Sequence, residues 1–121
     1  MLETIAAVLL VTIGLVHSIL GERILISRLL RRENLPKLLG SDIFTKQLIR
    51  FAWHLTTLAW WAIAAILGVI ALDANASHAK ILNIVAITFC ISGLVALVAS
   101  RGKHLSWIVF FAIALCCLFA N

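Results

Sequence analysis

Charged residues are scarce in this chain, and their scarcity decides its class. They make up 12% of the 121 residues, whereas hydrophobic residues make up 64%, and the mean hydropathy is +1.14. Soluble domains contain about 45–50% apolar residues, and a soluble protein of this length has too little interior to bury such an excess. The composition therefore excludes an ordinary soluble domain and indicates a protein that lies in a membrane.

Closely spaced metal-binding motifs are also missing. The three cysteines, Cys90, Cys116 and Cys117, form no CxxC pair, so neither a zinc ribbon nor a redox-active cysteine pair is predicted. No HExxH segment occurs either. We therefore interpret the cysteines as small buried hydrophobic side chains.

The apolar residues come in four uninterrupted blocks, which is typical of membrane-spanning helices. The blocks occupy residues 2–20, 51–72, 81–100 and 105–120. The first three are close to the length of about 20 residues that crosses a bilayer, and the fourth is a few residues shorter. The first block lacks the basic start and small-residue end of a cleaved signal peptide, so we expect it to be retained. The predicted fold is all-α, a single integral membrane domain over 1–121 formed by a four-helix transmembrane bundle.

The basic residues are distributed unevenly around these blocks, and this distribution predicts an orientation. Seven of the ten Lys and Arg residues lie between the first and second blocks, two lie between the third and fourth, and Lys80 lies between the second and third. The positive-inside rule then places both basic loops in the cytoplasm and both termini outside. We expect this N-out, C-out protein in a bacterial inner (plasma) membrane. Orientation and anionic lipids explain the positive charge, so no nucleic-acid partner is predicted.

The segment after the first block predicts a basic amphipathic helix at the membrane interface, over residues 22–33. Its apolar residues group on one face, and the segment Glu33-Asn34-Leu35-Pro36 is expected to end it. The opposite face carries four arginines, Arg23, Arg28, Arg31 and Arg32. We interpret this face as a contact with anionic lipid headgroups or a docking surface for a partner protein, and the alternative is a solvated face that only anchors the topology.

Three histidines, His17, His54 and His104, lie about one turn inside three different blocks and on the same side of the membrane. Ionisable rings at this depth tend to face protein or a water-filled cavity, so the sequence predicts a histidine cluster at the cytoplasmic side. A transition metal (Zn, Cu or Fe) held by the histidines with Glu22 is one candidate, and a haem held by two histidines for redox or electron-transfer chemistry is another. A proton relay in a small proton-coupled transporter is a third. The alternative is that each ring bonds a backbone carbonyl or a lipid phosphate.

The second block carries a polar face near its basic end. Its members are spaced i, i+4, i+7 and i+11, which places them on one side of a helix: Arg50, His54, Thr57 and Trp61. Glu22 ends the first block and Arg50 begins the second, so the sequence predicts an ion pair between them. The alternative is that Arg50 anchors at the lipid phosphates.

Small residues recur at helical spacing in the first three blocks and predict faces where helices pack closely. They are Gly14, Ser18 and Gly21, then Ala64 and Gly68, and then Ala86, Cys90, Gly93 and Ala96. Such faces also support an alternative function. In it the chain is a non-catalytic membrane subunit or scaffold that forms a homo-oligomer or binds a partner membrane protein.

Overall fold

The computed structural model describes residues 1–73, 75 and 77–120, and this part of the chain folds into four helices without β-strands. The helices are α1 (Leu2–Leu29), α2 (Asp42–Leu72), α3 (His78–Ser100) and α4 (Ser106–Phe119). The first three are long and apolar enough to cross a membrane, and α4 is a shorter apolar helix. The prediction of a helical membrane protein is therefore confirmed.

The four helices pack in chain order as an open row. Helix α1 packs against α2, α2 against α3 and α3 against α4. Within the described residues, no Cα atom of α1 lies within 8 Å of one in α3 or α4. Short connections make consecutive helices neighbours, but nothing in them closes the row into the predicted bundle. The outer faces of α1 and α4 are consequently exposed and apolar, as lipid contact requires.

The first three predicted spans lie inside observed helices that extend beyond them, whereas α4 is one residue shorter than its predicted span at each end. Helix α2 begins at Asp42, where the Ser41 side chain caps it by accepting a hydrogen bond from the Ile43 N–H. Helix α1 continues past the first span and ends at Leu29. The surface helix predicted over 22–33 is thus the end of α1. It stops four residues early, because residues 30–35 form a turn and an irregular stretch that leads into Pro36.

The loop between α1 and α2 is fastened to α2 by one buried hydroxyl. Thr45 Oγ1 donates to the Pro36 carbonyl at 2.6 Å and accepts from the Leu38 N–H at 3.2 Å. The loop then turns tightly through Leu39 and Gly40, which both have positive φ. The long loop is therefore an ordered structure, and Thr45 is its main attachment.

Replacing Thr45 with valine is expected to loosen this loop without unfolding the helices. The change removes both hydrogen bonds and costs about 1–3 kcal/mol for the partners left unsatisfied. Tryptic cleavage after Lys37 should accelerate about tenfold, which corresponds to ~1.4 kcal/mol of easier local opening. Thr56→Val is the matched control, because the exposed Thr56 hydroxyl bonds only carbonyls of its own helix. If trypsin cleaved the two variants at the same rate, Thr45 would not be the residue that fastens the loop to α2.

At the opposite end of the molecule, an exposed ion pair joins Asp73 and Lys80. Lys80 Nζ donates to Asp73 Oδ2 at 2.8 Å, and this hydrogen bond lowers the pKa of the Asp73 carboxyl below its ordinary value. His78 is exposed at the start of α3. The pair joins the end of α2 to the start of α3.

The small-residue faces account for much of the close packing. Ala64, Ala86, Gly93 and Ala96 are buried, but Gly68 has no neighbour within 4 Å of an added Cβ. The interpretation of the cysteines as buried is wrong for two of them. Cys90 and Cys116 are exposed, and Cys117 is half-buried. In an open row, a small apolar residue on an outer face contacts lipid instead of a neighbouring helix.

Candidate functional site: the seam between α1 and α2

Helices α1 and α2 are joined by a ladder of hydrogen bonds from α2 side chains to α1 carbonyls. Trp53 Nε1 donates to the His17 carbonyl at 3.1 Å. Further along the seam, the Thr57 hydroxyl donates to the Gly14 carbonyl at 3.5 Å and Trp61 Nε1 to the Val11 carbonyl at 3.3 Å. These donors find partners inside the protein, where lipid would offer none.

Two glycines of α1 make room for the tryptophans of this ladder. A Cβ added to Gly21 would lie 2.2–2.5 Å from the Trp53 ring, and one added to Gly14 would lie 2.6 Å from Trp61 Nε1. Both glycines are buried. The predicted small-residue face of α1 is therefore the surface against which the indole rings of α2 pack.

Four polar side chains meet in the seam where α1 approaches its end and α2 has begun. We call them the seam site: Ser18 and Glu22 of α1, and Arg50 and His54 of α2. His54 Nδ1 lies 2.6 Å from Ser18 Oγ, and His54 Nε2 lies 3.2 Å from Glu22 Oε2. Arg50 Nη2 lies 2.9 Å from Glu22 Oε1. The histidine therefore bridges two residues of α1, and the carboxylate bridges two residues of α2.

A π-helical turn in α1 sets the position of the Glu22 carboxylate. Residues Gly21–Ile26 form this turn, in which the Ser27 N–H bonds the Glu22 carbonyl five residues back. Residues five apart share a face in such a turn. The Ser27 hydroxyl accordingly donates to Glu22 Oε1 at 3.3 Å, and Gly21 and Ile26 are both buried against the rest of the protein. The wide turn thus gives Glu22 a third hydrogen-bond partner.

The seam site can change its protonation without losing its hydrogen bonds. With a neutral ring, His54 Nε2–H donates to the Glu22 carboxylate and Nδ1 accepts from the Ser18 hydroxyl. With a charged ring, Nδ1–H donates to Ser18 Oγ and the other bond is kept. A hydroxyl can both donate and accept, so Ser18 serves either state. Ser18, His54 and Glu22 are therefore joined in one continuous chain of hydrogen bonds between the two helices.

His17 lies in the same seam but has a different role. Its ring stacks on the Trp53 indole with 4.2 Å between centroids and 7° between planes, and Trp60 lies at 4.9 Å. His17 Nε2 lies 3.4 Å from the Trp53 carbonyl, which accepts only, so this nitrogen is the donor. His17 therefore bonds a backbone carbonyl, one of the alternatives that the sequence left open.

His104 is separate from both of the other histidines. Its Nδ1 accepts from the Ser106 N–H and bonds the Ser106 hydroxyl at 2.7 Å, so it caps the start of α4. Among the described residues, no group of three His, Cys, Asp or Glu side chains could hold a metal ion. Of the three histidines predicted to form one cluster, His17 and His54 thus lie in the seam between α1 and α2, and His104 lies at the start of α4. Metal or haem binding by His17, His54, His104 and Glu22 stays a prediction.

Comparisons with known proteins assign no family to this arrangement. No family model, no curated protein and no solved structure matches the chain. The function has to be inferred from the seam itself.

Sequence reasoning found some of the seam and missed the rest. The helical spacing of Arg50, His54, Thr57 and Trp61 predicted a shared face, and all four contact α1. The partnership of Ser18 with His54 was missed, although both lie at the same predicted depth. The stacking of His17 on Trp53 was also missed. The spacing of residues along one helix does not show which side chains face each other across two helices.

Proposed function

We propose that this chain is a small integral membrane protein that crosses the membrane four times, with α4 as a short fourth span. Both termini face outward, and the seam site lies at the cytoplasmic side of a bacterial inner membrane. The concentration of Lys and Arg in the loops next to the seam site supports this orientation. Association with a second copy or with a partner membrane protein stays a prediction.

Within this architecture, we infer that the seam site binds and releases protons for a small proton-coupled transporter, one that conducts protons down their gradient even without a second substrate. The observation that carries the proposal is the bridging position of His54 between Ser18 and Glu22. Ionisable residues inside membrane helices are costly and usually line proton or ion pathways. Histidine changes its charge near neutral pH, and its two nitrogens can pass a proton from one side of the ring to the other. Arg50 keeps the carboxylate oriented toward the ring while the proton moves.

Proton uptake into proteoliposomes tests this function. Vesicles that contain the protein and a trapped pH-sensitive dye receive an acid pulse outside, with potassium and valinomycin present to prevent charge build-up. The native chain should acidify the interior faster than protein-free vesicles, and His54→Ala should reduce the rate to that of the protein-free vesicles. His78→Ala is the control, because His78 is exposed at the far end of α3. Native proteoliposomes no faster than protein-free vesicles would contradict the proposal.

A further inference from the structure

Two cavities meet at Lys46 and Arg50, near the start of α2, and neither is accounted for by proton transfer. One has a volume of about 450 Å³ and lies between α2 and α3, where Phe51, Val95 and Ala99 line it. The other has a volume of about 410 Å³ and lies between the end of α1 and α2, where Ser27 and Arg31 line it. Lys46 and Arg50 line both cavities, so a ligand in one lies next to the other.

The smaller cavity has unused hydrogen-bond donors and an excess of positive charge. Lys46 pairs with Asp42 at 2.8 Å and Arg50 pairs with Glu22 at 2.9 Å. An ammonium carries three donors and a guanidinium five, so both cations keep donors for a further anion. Arg31 adds a third cation, and among the described residues no carboxylate lies within ion-pair distance of it. Three cations thus face two carboxylates, and one positive charge is left for a ligand.

The larger cavity has the opposite character. Its wall is almost wholly apolar, because Lys46 and Arg50 contribute their aliphatic stems beside Phe51, Val95 and Ala99. Ile43, Gln47 and His54 complete the lining. The two cavities together therefore present a cationic end beside an apolar groove. This is the pattern of an amphiphile with an anionic head and a hydrocarbon chain.

We propose that these cavities bind one anionic phospholipid. The phosphate lies between Arg31, Lys46 and Arg50, and one acyl chain lies in the groove between α2 and α3. Basic side chains at a membrane surface attract anionic lipids by charge, and Arg binds phosphate with paired donors. Charge complementarity selects the head, and the groove beside it distinguishes a lipid from free phosphate. The proposal does not depend on proton transfer by the seam site.

Native mass spectrometry of the purified protein tests the proposal with phosphatidylglycerol, phosphatidylcholine and inorganic phosphate as probes. One phosphatidylglycerol should bind at least about fivefold more tightly than phosphatidylcholine, since each basic residue near an anionic headgroup contributes roughly that factor. Arg31→Gln should remove about that factor, and Arg31 makes no side-chain ion pair whose loss could disturb the fold. Lys46→Gln is the second variant. Arg101→Gln removes the same charge at an exposed turn outside both cavities and should leave binding unchanged.

The groove is tested by a pair of phenylalanine variants. Val95→Phe fills the larger cavity and should weaken phosphatidylglycerol binding, whereas Val98→Phe lies on an exposed surface outside it and should not. Loss of binding in Arg101→Gln equal to that in Arg31→Gln would overturn the proposal in favour of general charge attraction. Displacement of the lipid by inorganic phosphate, together with normal binding by Val95→Phe, would overturn it in favour of a headgroup-only site.

Discussion

Gly21→Ala is expected to destabilise the protein by about 2–3 kcal/mol, in the upper part of the ~1–3 kcal/mol that overpacking of a well-fitted contact typically costs. The added Cβ would lie 2.2 Å from Trp53 Nε1, so the ring has to move. Its movement would break the hydrogen bond to the His17 carbonyl and the stacking on the His17 ring. Unfolding in mixed detergent micelles, followed by tryptophan fluorescence, measures the change.

Gly68→Ala provides the matched control for this prediction. Gly68 lies within α2, four residues before its end at Leu72, and an added Cβ meets nothing within 4 Å. Alanine favours a helix over glycine by about 1 kcal/mol, so this variant should be neutral or slightly stabilised. If both variants have the stability of the native chain, Trp53 does not pack against Gly21 and the seam is wrongly placed.

Glu22→Gln is expected to abolish proton uptake and to leave the helices in place. The amide oxygen of glutamine can still accept from Arg50, and its NH2 group can donate to His54 Nε2 in the other ring tautomer, but the amide cannot take up a proton. A positioned proton-transfer group contributes about 10²–10⁴-fold to a rate, so uptake should fall to the level of protein-free vesicles. Glu33→Gln is the control, since Glu33 is exposed in the loop after α1. If Glu22→Gln took up protons as fast as the native chain, the Glu22 carboxylate would take no part in proton transfer.

The sequence predicted the elements of this fold because membrane helices depend on simple quantities. Apolar length predicted where the helices lie. Helical spacing predicted the polar face of α2. Each of these is a property of one helix and its flanks, so a single sequence is sufficient to reveal it.

The features that sequence reasoning missed depend on how two helices are rotated against each other. Equal depth suggested that His17, His54 and His104 converge, but depth says nothing about direction around a helix axis. His17 faces the Trp53 ring, and His104 bonds Ser106 beside it. The sequence did not predict the π-helical turn over Gly21–Ile26. The five-residue spacing of Glu22 and Ser27 can be recognised only once that turn is known.

The central claim is that His54 and Glu22 act as one proton site, and a double-mutant cycle of proton uptake tests it most directly. The rates of the native chain, His54→Ala, Glu22→Gln and the double variant are compared under one imposed gradient, with the protein-free leak subtracted. Groups that act as a unit are strongly non-additive, so the double variant should be no slower than the slower single variant. The account would be contradicted if both single variants kept a measurable rate and their two losses multiplied in the double variant. The two groups would then act independently.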